Sequence, residues 1–103
     1  MNRKGYWIAL IDVADQERYK EYAAMVGAIL AKYGARFLVR GGTSQVVEGV
    51  GRTRIVIIEF PDYVSAVECY SSPEYTKARA LRNRASTGDV MIVEGYEGAQ
   101  PLI

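Results

Sequence analysis

Two stretches of this chain, Gly5 to Val13 (GYWIALIDV) and Thr53 to Phe60 (TRIVIIEF), are apolar at most positions and on both sides of the alternation. Both are too short for a typical helix and rich in aromatic and β-branched residues, so both read as strands. Successive side chains of a strand point to opposite faces. Trp7, Ala9, Ile11 and Val13 therefore face one way and Tyr6, Ile8 and Leu10 the other, while Val56, Ile58 and Phe60 oppose Ile55 and Ile57. A sheet built from such strands needs cover on both faces. With 103 residues the chain is one domain, 1–103, and a domain of that size leaves much of its surface exposed when it folds alone.

Helical cover is enough for one face only. Asp15 signals a helix start, and Tyr19, Tyr22, Val26, Ile29 or Leu30, and Tyr33 recur at the spacing of one buried stripe, ended by Gly34. Arg36 to Arg40 (RFLVR) resumes as a strand. Gly41 and Gly42 read as a bulge before Gln45 to Glu48 continues it, and Gly49 and Gly51 shape a hairpin turn. Asp62 caps a helix running to about Tyr70; Ser72, Pro73 and Glu74 then supply a second start, an N-cap, a preset φ and a first-turn acid, and the helix runs to about Arg84. Ser86 to Asp89 reads as a turn and Val90 to Tyr96 as the last strand, leaving a tail at 97–103.

The order β-α-β-β-α-β is the signature of an α+β, ferredoxin-like fold: a four-stranded antiparallel sheet with both helices on one face. The second face is then expected to be covered by the same sheet of another copy, giving a homodimer whose two sheets enclose a barrel-like core.

Composition removes several function classes. Histidine is absent, which excludes Ser-His-Asp and Cys-His catalysis, histidine metal sites and histidine pH switching. A net charge of +1 offers no sustained field for nucleic acid or an anionic membrane, so neither is expected as a partner. The basic, apolar start MNRKGYWIALIDVADQ lacks a small-residue cleavage motif and reads as a strand, and no segment approaches the ~20 apolar residues of a membrane span. The single Cys69 cannot close an intramolecular disulfide, which fits a reducing, cytoplasmic setting. No cofactor or metal motif is present: GGTSQVVEGVG lacks the Lys-Ser/Thr of a phosphate loop and leads into a strand.

What chemistry remains belongs to carboxylates, tyrosines and arginines. Asp12, Arg40, Glu59 and Glu94 are charges set in or beside apolar strands. Pairing Glu48 with Thr53 across the expected hairpin, with allowance for the bulge, brings Arg40 opposite or diagonal to Glu59. Glu59 shares the Ile55 and Ile57 face, so its carboxylate is expected to be partly desolvated and raised in pKa unless Arg40 offsets it. One reading makes Glu59 a general acid/base or an anchor for a polar ligand group, the other an ion pair fixing the barrel end or the dimer register. Among eight tyrosines, Tyr19, Tyr22 and Tyr33 read as packing on the sheet. Tyr75 is the stronger site candidate, because Arg79 and Arg82 follow one and two turns on, so that a phenol and guanidiniums would converge on an anion or enolate. Cys69, with nothing to lower its pKa, reads as a buried structural thiol.

GYWI at 5–8, VRGG at 39–42, Glu48-Gly49, RIVIIEFP at 54–61 and SSPEY at 71–75 followed by Arg79 and Arg82 together resemble the domain of unknown function 1330 family, of the dimeric α+β barrel superfamily. The resemblance covers about residues 4–96. It implies a ferredoxin-like protomer and a homodimer, and the family name assigns no activity. Similar sequences carry a Trp-Tyr pair where this chain has Cys69-Tyr70, which would change the size and polarity of any pocket that the Trp lines. Three readings follow. The leading one is a homodimer binding a small polar or aromatic molecule in a cavity between sheet and helices, with Arg40, Tyr75 and Arg79 as binding residues. A second, resembling cofactor-independent members of the superfamily, is an isomerase or monooxygenase-like enzyme in which Glu59 or Asp12 moves a proton beside a carbonyl or phenolic substrate while Arg40 or Tyr75 stabilises negative charge. The third is a structural protein without ligand. A haem-binding variant would lack the usual axial histidine and depend on a tyrosinate.

Overall fold

A computed structural model describes residues 3–102, so residues 1, 2 and 103, the last of the expected tail, lie outside the described residues. The elements run β1 (Gly5–Val13), α1 (Gln16–Lys32), β2 (Arg36–Arg40), β3 (Arg54–Phe60), α2 (Tyr63–Ser71), α3 (Pro73–Ala85) and β4 (Ser86–Glu94). The sheet is antiparallel with order β2-β3-β1-β4, so β3 lies between β1 and β2, and β1 between β3 and β4. This is the split β-α-β arrangement of the ferredoxin-like fold, with the second crossover broken into two helices.

Helix ends follow the capping residues. The Asp15 carboxylate accepts from the Arg18 N–H, that of Asp62 from Ser65, and the Ser72 hydroxyl from Tyr75. Gly34, at φ +68°, lets the chain leave α1 in the left-handed conformation that closes a helix C-terminus. At the far end of α3 the Ala85 carbonyl accepts from both Ala14 and Asp15, which ties this helix to the start of α1.

The core lies between the sheet and the helices. Trp7, Ile11, Val56, Ile58 and Phe60 from the strands meet Tyr22, Val26 and Leu30 of α1 and Ala66, Cys69, Tyr75 and Ala78 of α2 and α3. The opposite sheet face carries Tyr6, Ile8, Leu10, Ile55 and Ile57 and has no helix over it; Met91 and Val93 on β4 are 42% and 43% exposed. The molecule is accordingly a slab of two layers, 16 Å across its thinnest axis.

Three local expectations are corrected. Residues 41–53 form a loop rather than a continued strand and tight hairpin: Val46, Val47 and Val50 stay exposed, glycines at positive φ (Gly41, Gly49 and Gly51) break the extended backbone, and Asp12 pins its end. That carboxylate accepts from the Thr53 N–H at 2.9 Å, the Thr53 hydroxyl at 3.0 Å and Arg52 Nη1 at 3.1 Å. The register irregularity falls between Phe37 and Val39, not at Gly41-Gly42. β4 starts directly at Ser86, paired with Val13, and ends at Glu94, so 86–89 is strand and not turn.

Candidate functional site

Between the sheet and α1/α3 runs a narrow cleft of about 30 Å³, room for about two waters. Its deep end is built on α3. Because Tyr75 and Arg82 are seven residues apart they share one helix face, and that face is turned toward α1. Arg82 Nη1 donates to the Tyr75 hydroxyl at 2.8 Å, and the Tyr75 and Tyr22 hydroxyls lie 2.8 Å apart. Trp7 forms the floor: its ring centroid is 4.7 Å from that of Tyr75 and 5.0 Å from Phe60, and its indole N–H is fixed on the Ala66 carbonyl at 2.8 Å.

The other end is built on the strands and the first turn of α1. Arg54 Nε donates to the Tyr19 hydroxyl at 3.2 Å, with its guanidinium 5.2 Å from the Tyr19 ring centroid. Arg40 lies 4.2 Å from the centroid of Phe37. Among the described residues no acidic side chain lines the cleft.

Burial sets the electrostatics of the deep end. Desolvation raises Tyr75 well above the ordinary phenol range, and burial raises Tyr22 likewise, so both are neutral hydroxyls at pH 7. Arg82, 8% exposed, is held in the charged form against desolvation by the phenol oxygens around it. For Tyr70, burial works upward but the hydrogen bond from Arg79 Nη1 at 3.1 Å and the charge of that guanidinium outweigh it, and its pKa is lowered.

Of the residues singled out from the sequence, Tyr75 and Arg40 both line the cleft. Arg79 does not reach Tyr75; it binds Tyr70, and Arg82 is the arginine that meets Tyr75. Glu59 and Arg40 are not brought together. The register pairs Glu59 with Arg36 and places Arg40 opposite Val56, on the helix side of the sheet. The Glu59 carboxylate accepts from Arg36 Nε at 2.9 Å and from the Tyr6 hydroxyl at 3.1 Å, and the Arg36 hydrogen bond lowers the Glu59 pKa, against the expected rise. Asp12 is lowered as well, first by the Thr53 N–H, and closes the loop end. Neither carboxylate lines the cleft. Glu94 pairs with Arg3 at 3.4 Å on the surface.

Tyr19 and Tyr22, read from the sequence as packing residues, line the cleft, as does Arg54, which the sequence did not single out. Helical spacing showed which face the tyrosines occupy but not where their hydroxyls end. Cys69, on the buried face of α2, is outside the cleft lining, and burial pushes its thiol up to about 12. Among the described residues no three His, Cys, Asp or Glu side chains converge as a metal site, and no helix is long and apolar enough to cross a membrane.

An antiparallel sheet with helices on one face and an arginine–tyrosine cleft between the layers defines a ferredoxin-like α+β protein. Residues 4–96 match the model of the family described as domain of unknown function (DUF1330), and the chain belongs to that family. No curated protein matches it. Among solved structures, a protein of unknown function from Rhodopseudomonas palustris superposes with a TM-score of 0.72 at 18% identity, over 98% of this chain and 86% of that one. A hypothetical Arabidopsis thaliana protein gives 0.67 at 12% identity, over 99% and 94%. SnoaB of Streptomyces nogalater, a cofactor-independent oxygenase, gives 0.62 at 11% identity, over 97% of each chain. At these identities the likeness is one of fold.

Proposed function

We propose that the protein is a homodimer that binds a small planar molecule in the cleft, with a phenol or carbonyl oxygen of that molecule beside Tyr75 and Arg82. Arg82 carries the reading. A guanidinium removed from water is costly unless a counter-charge satisfies it, and this one has phenol oxygens and the Asn83 amide as hydrogen-bond partners, with no carboxylate among the described residues. An electron-rich oxygen of a ligand beside Tyr75 would give this buried charge a further, stronger partner. Flat aromatic walls and few polar groups match the chemistry of small-molecule sites.

The dimer rests on the uncovered sheet face. Ile8, Leu10, Ile55 and Ile57 with Met91 and Val93 form an apolar surface on a slab only 16 Å thick, and a second copy of the same face is its self-complementary partner. A cytoplasmic setting is proposed from the lone buried thiol.

The structural likeness to a cofactor-independent oxygenase supports a second reading, in which the bound molecule turns over. A buried guanidinium would then stabilise an enolate or phenolate in the cleft. In this reading a proton-transfer role for Glu59 or Asp12 requires substrate at the open face or the sheet end, where those carboxylates sit.

Trp7 is the chain's single tryptophan and borders the cleft, so its fluorescence reports occupancy. Titration with 4-hydroxyacetophenone is expected to give saturable quenching in the wild type that weakens at least tenfold in Arg82→Met. No response of Trp7 up to millimolar ligand, or equal response in the variant, would sink the proposal.

A further inference from the structure

The two ends of the cleft differ in a way that points to a particular ligand class. At the deep end one guanidinium is committed to phenol oxygens. Toward solvent, two further guanidiniums line the same cleft: Arg54, half-buried, and Arg40, exposed. Arg54 donates to the Tyr19 hydroxyl and rests on that ring, and Arg40 rests on Phe37. Among the described residues neither has an ion-pair partner, although six ion pairs there satisfy other charges. Stacking on a ring face leaves the guanidinium edge, with its fork of N–H donors, free to meet a planar anion. The backbone makes room for this arrangement. Gly41 lies at φ +67°, and a Cβ at that position would collide with the Arg54 guanidinium.

We infer that the ligand is an aromatic carboxylic acid that also carries a hydroxyl or carbonyl group, its carboxylate held by Arg54 and Arg40 at the mouth and its second oxygen at Tyr75 and Arg82. This rests on the cleft reading above and adds the second anchoring group. The cleft holds about two waters, so a ring enters only as Arg54 gives up its hydrogen bond to Tyr19 and swings outward with Arg40, a movement that no ion pair opposes among the described residues. Flat walls select a planar body, and the acid-free lining leaves a carboxylate without a repelling neighbour.

The test compares 4-hydroxybenzoate with its methyl ester by Trp7 fluorescence at low and high salt. The acid is expected to bind at least tenfold more tightly than the ester at low salt, with the advantage shrinking as salt rises. Arg54→Gln and Gly41→Ala are each expected to shrink the acid-over-ester affinity ratio to less than about threefold. Equal binding of acid and ester to the wild type overturns the carboxylate assignment while the cleft reading stands. An acid advantage that survives in the Arg54→Gln/Arg40→Gln double variant overturns it too, and tighter binding of phenyl phosphate than of 4-hydroxybenzoate reassigns the mouth to a phosphoryl group. Failure of both acid and ester to move Trp7 overturns the cleft reading together with the inference.

Discussion

The hydroxyls of Tyr22 and Tyr75, 53 residues apart in the chain, lie 2.8 Å from each other, and Arg82 donates to Tyr75 from the other side at 2.8 Å. This three-residue chain joins α1 to α3 across the core and brings a positive charge into contact with two neutral phenols. It sets a buried charge among the aromatic rings of the core.

Removing the members of that chain is predicted to cost unequal amounts. Arg82→Met takes away the buried charge and leaves Tyr75 and Tyr22 bonded to each other, so it is expected to change stability by no more than about 1 kcal/mol. Tyr75→Phe leaves the guanidinium without its main acceptor and is expected to cost about 1–3 kcal/mol. Urea unfolding of the two variants gives the order directly, and the reverse order would show that Arg82 is held by something other than Tyr75.

The uncovered sheet face predicts an association that one charge disrupts. Ile57 sits in its middle, between Ile8 on β1 and Val39 on β2. Light scattering at micromolar concentration is expected to give twice 11.4 kDa for the wild type and 11.4 kDa for Ile57→Glu, since an unpaired carboxylate on both copies of a two-fold interface is both desolvated and repelled. A wild-type mass of 11.4 kDa would refute the dimer.

Acid sensitivity follows from the two lowered carboxylates. Asp12 and Glu59 have folded-state pKa values below their ordinary 3.8 and 4.5, so each contributes stability that is fully present above those values and is lost as pH falls through the folded value. Urea midpoints of the wild type should therefore fall as pH drops below about 4.5. Asp12→Asn and Glu59→Gln should each lie below the wild type at pH 7 and converge on it in acid; a constant offset at all pH values would rule out titration as the source.

Two glycines are predicted to respond with opposite sign. An added Cβ at Gly27 in α1 meets nothing within 4 Å, so Gly27→Ala is expected to stabilise by about 0.5–1 kcal/mol through helix propensity. At Gly5 the same atom would come within 2.5 Å of the Asp62 carbonyl oxygen and 2.7 Å of the Tyr63 Cα, both backbone, so Gly5→Ala is expected to cost about 1–3 kcal/mol by pushing the start of α2 off β1. Thermal melts of the pair check both directions.

Glu59 shows how far local pattern carries. Alternation along TRIVIIEF correctly places Glu59 on the face away from the helices, with Ile55 and Ile57, but its partner depended on the register of a neighbouring strand. One irregularity between Phe37 and Val39 turns Arg40 to the helix side and leaves Arg36 beside Glu59. The expected bulge at Gly41-Gly42 would have given a different arginine. The cleft was legible to a similar extent: Tyr75 and Arg82 share a face because seven residues are close to two helical turns, whereas the contributions of Tyr22 and Arg54 come from elements separated from α3 in sequence.

The sequence by itself determined the two-sided strands, the element order, the helix caps at Asp15, Asp62 and Ser72, and the absence of histidine from any chemistry. These are properties of periodicity, side-chain type and nearest neighbours, which act within a few residues. Tertiary structure alone decided that Arg36 rather than Arg40 holds Glu59, that Arg82 rather than Arg79 meets Tyr75, and that Tyr22 closes the chain. Hydrogen bonds between side chains far apart in sequence depend on ångström-scale placement of whole elements, and that placement is set by how the complete core packs.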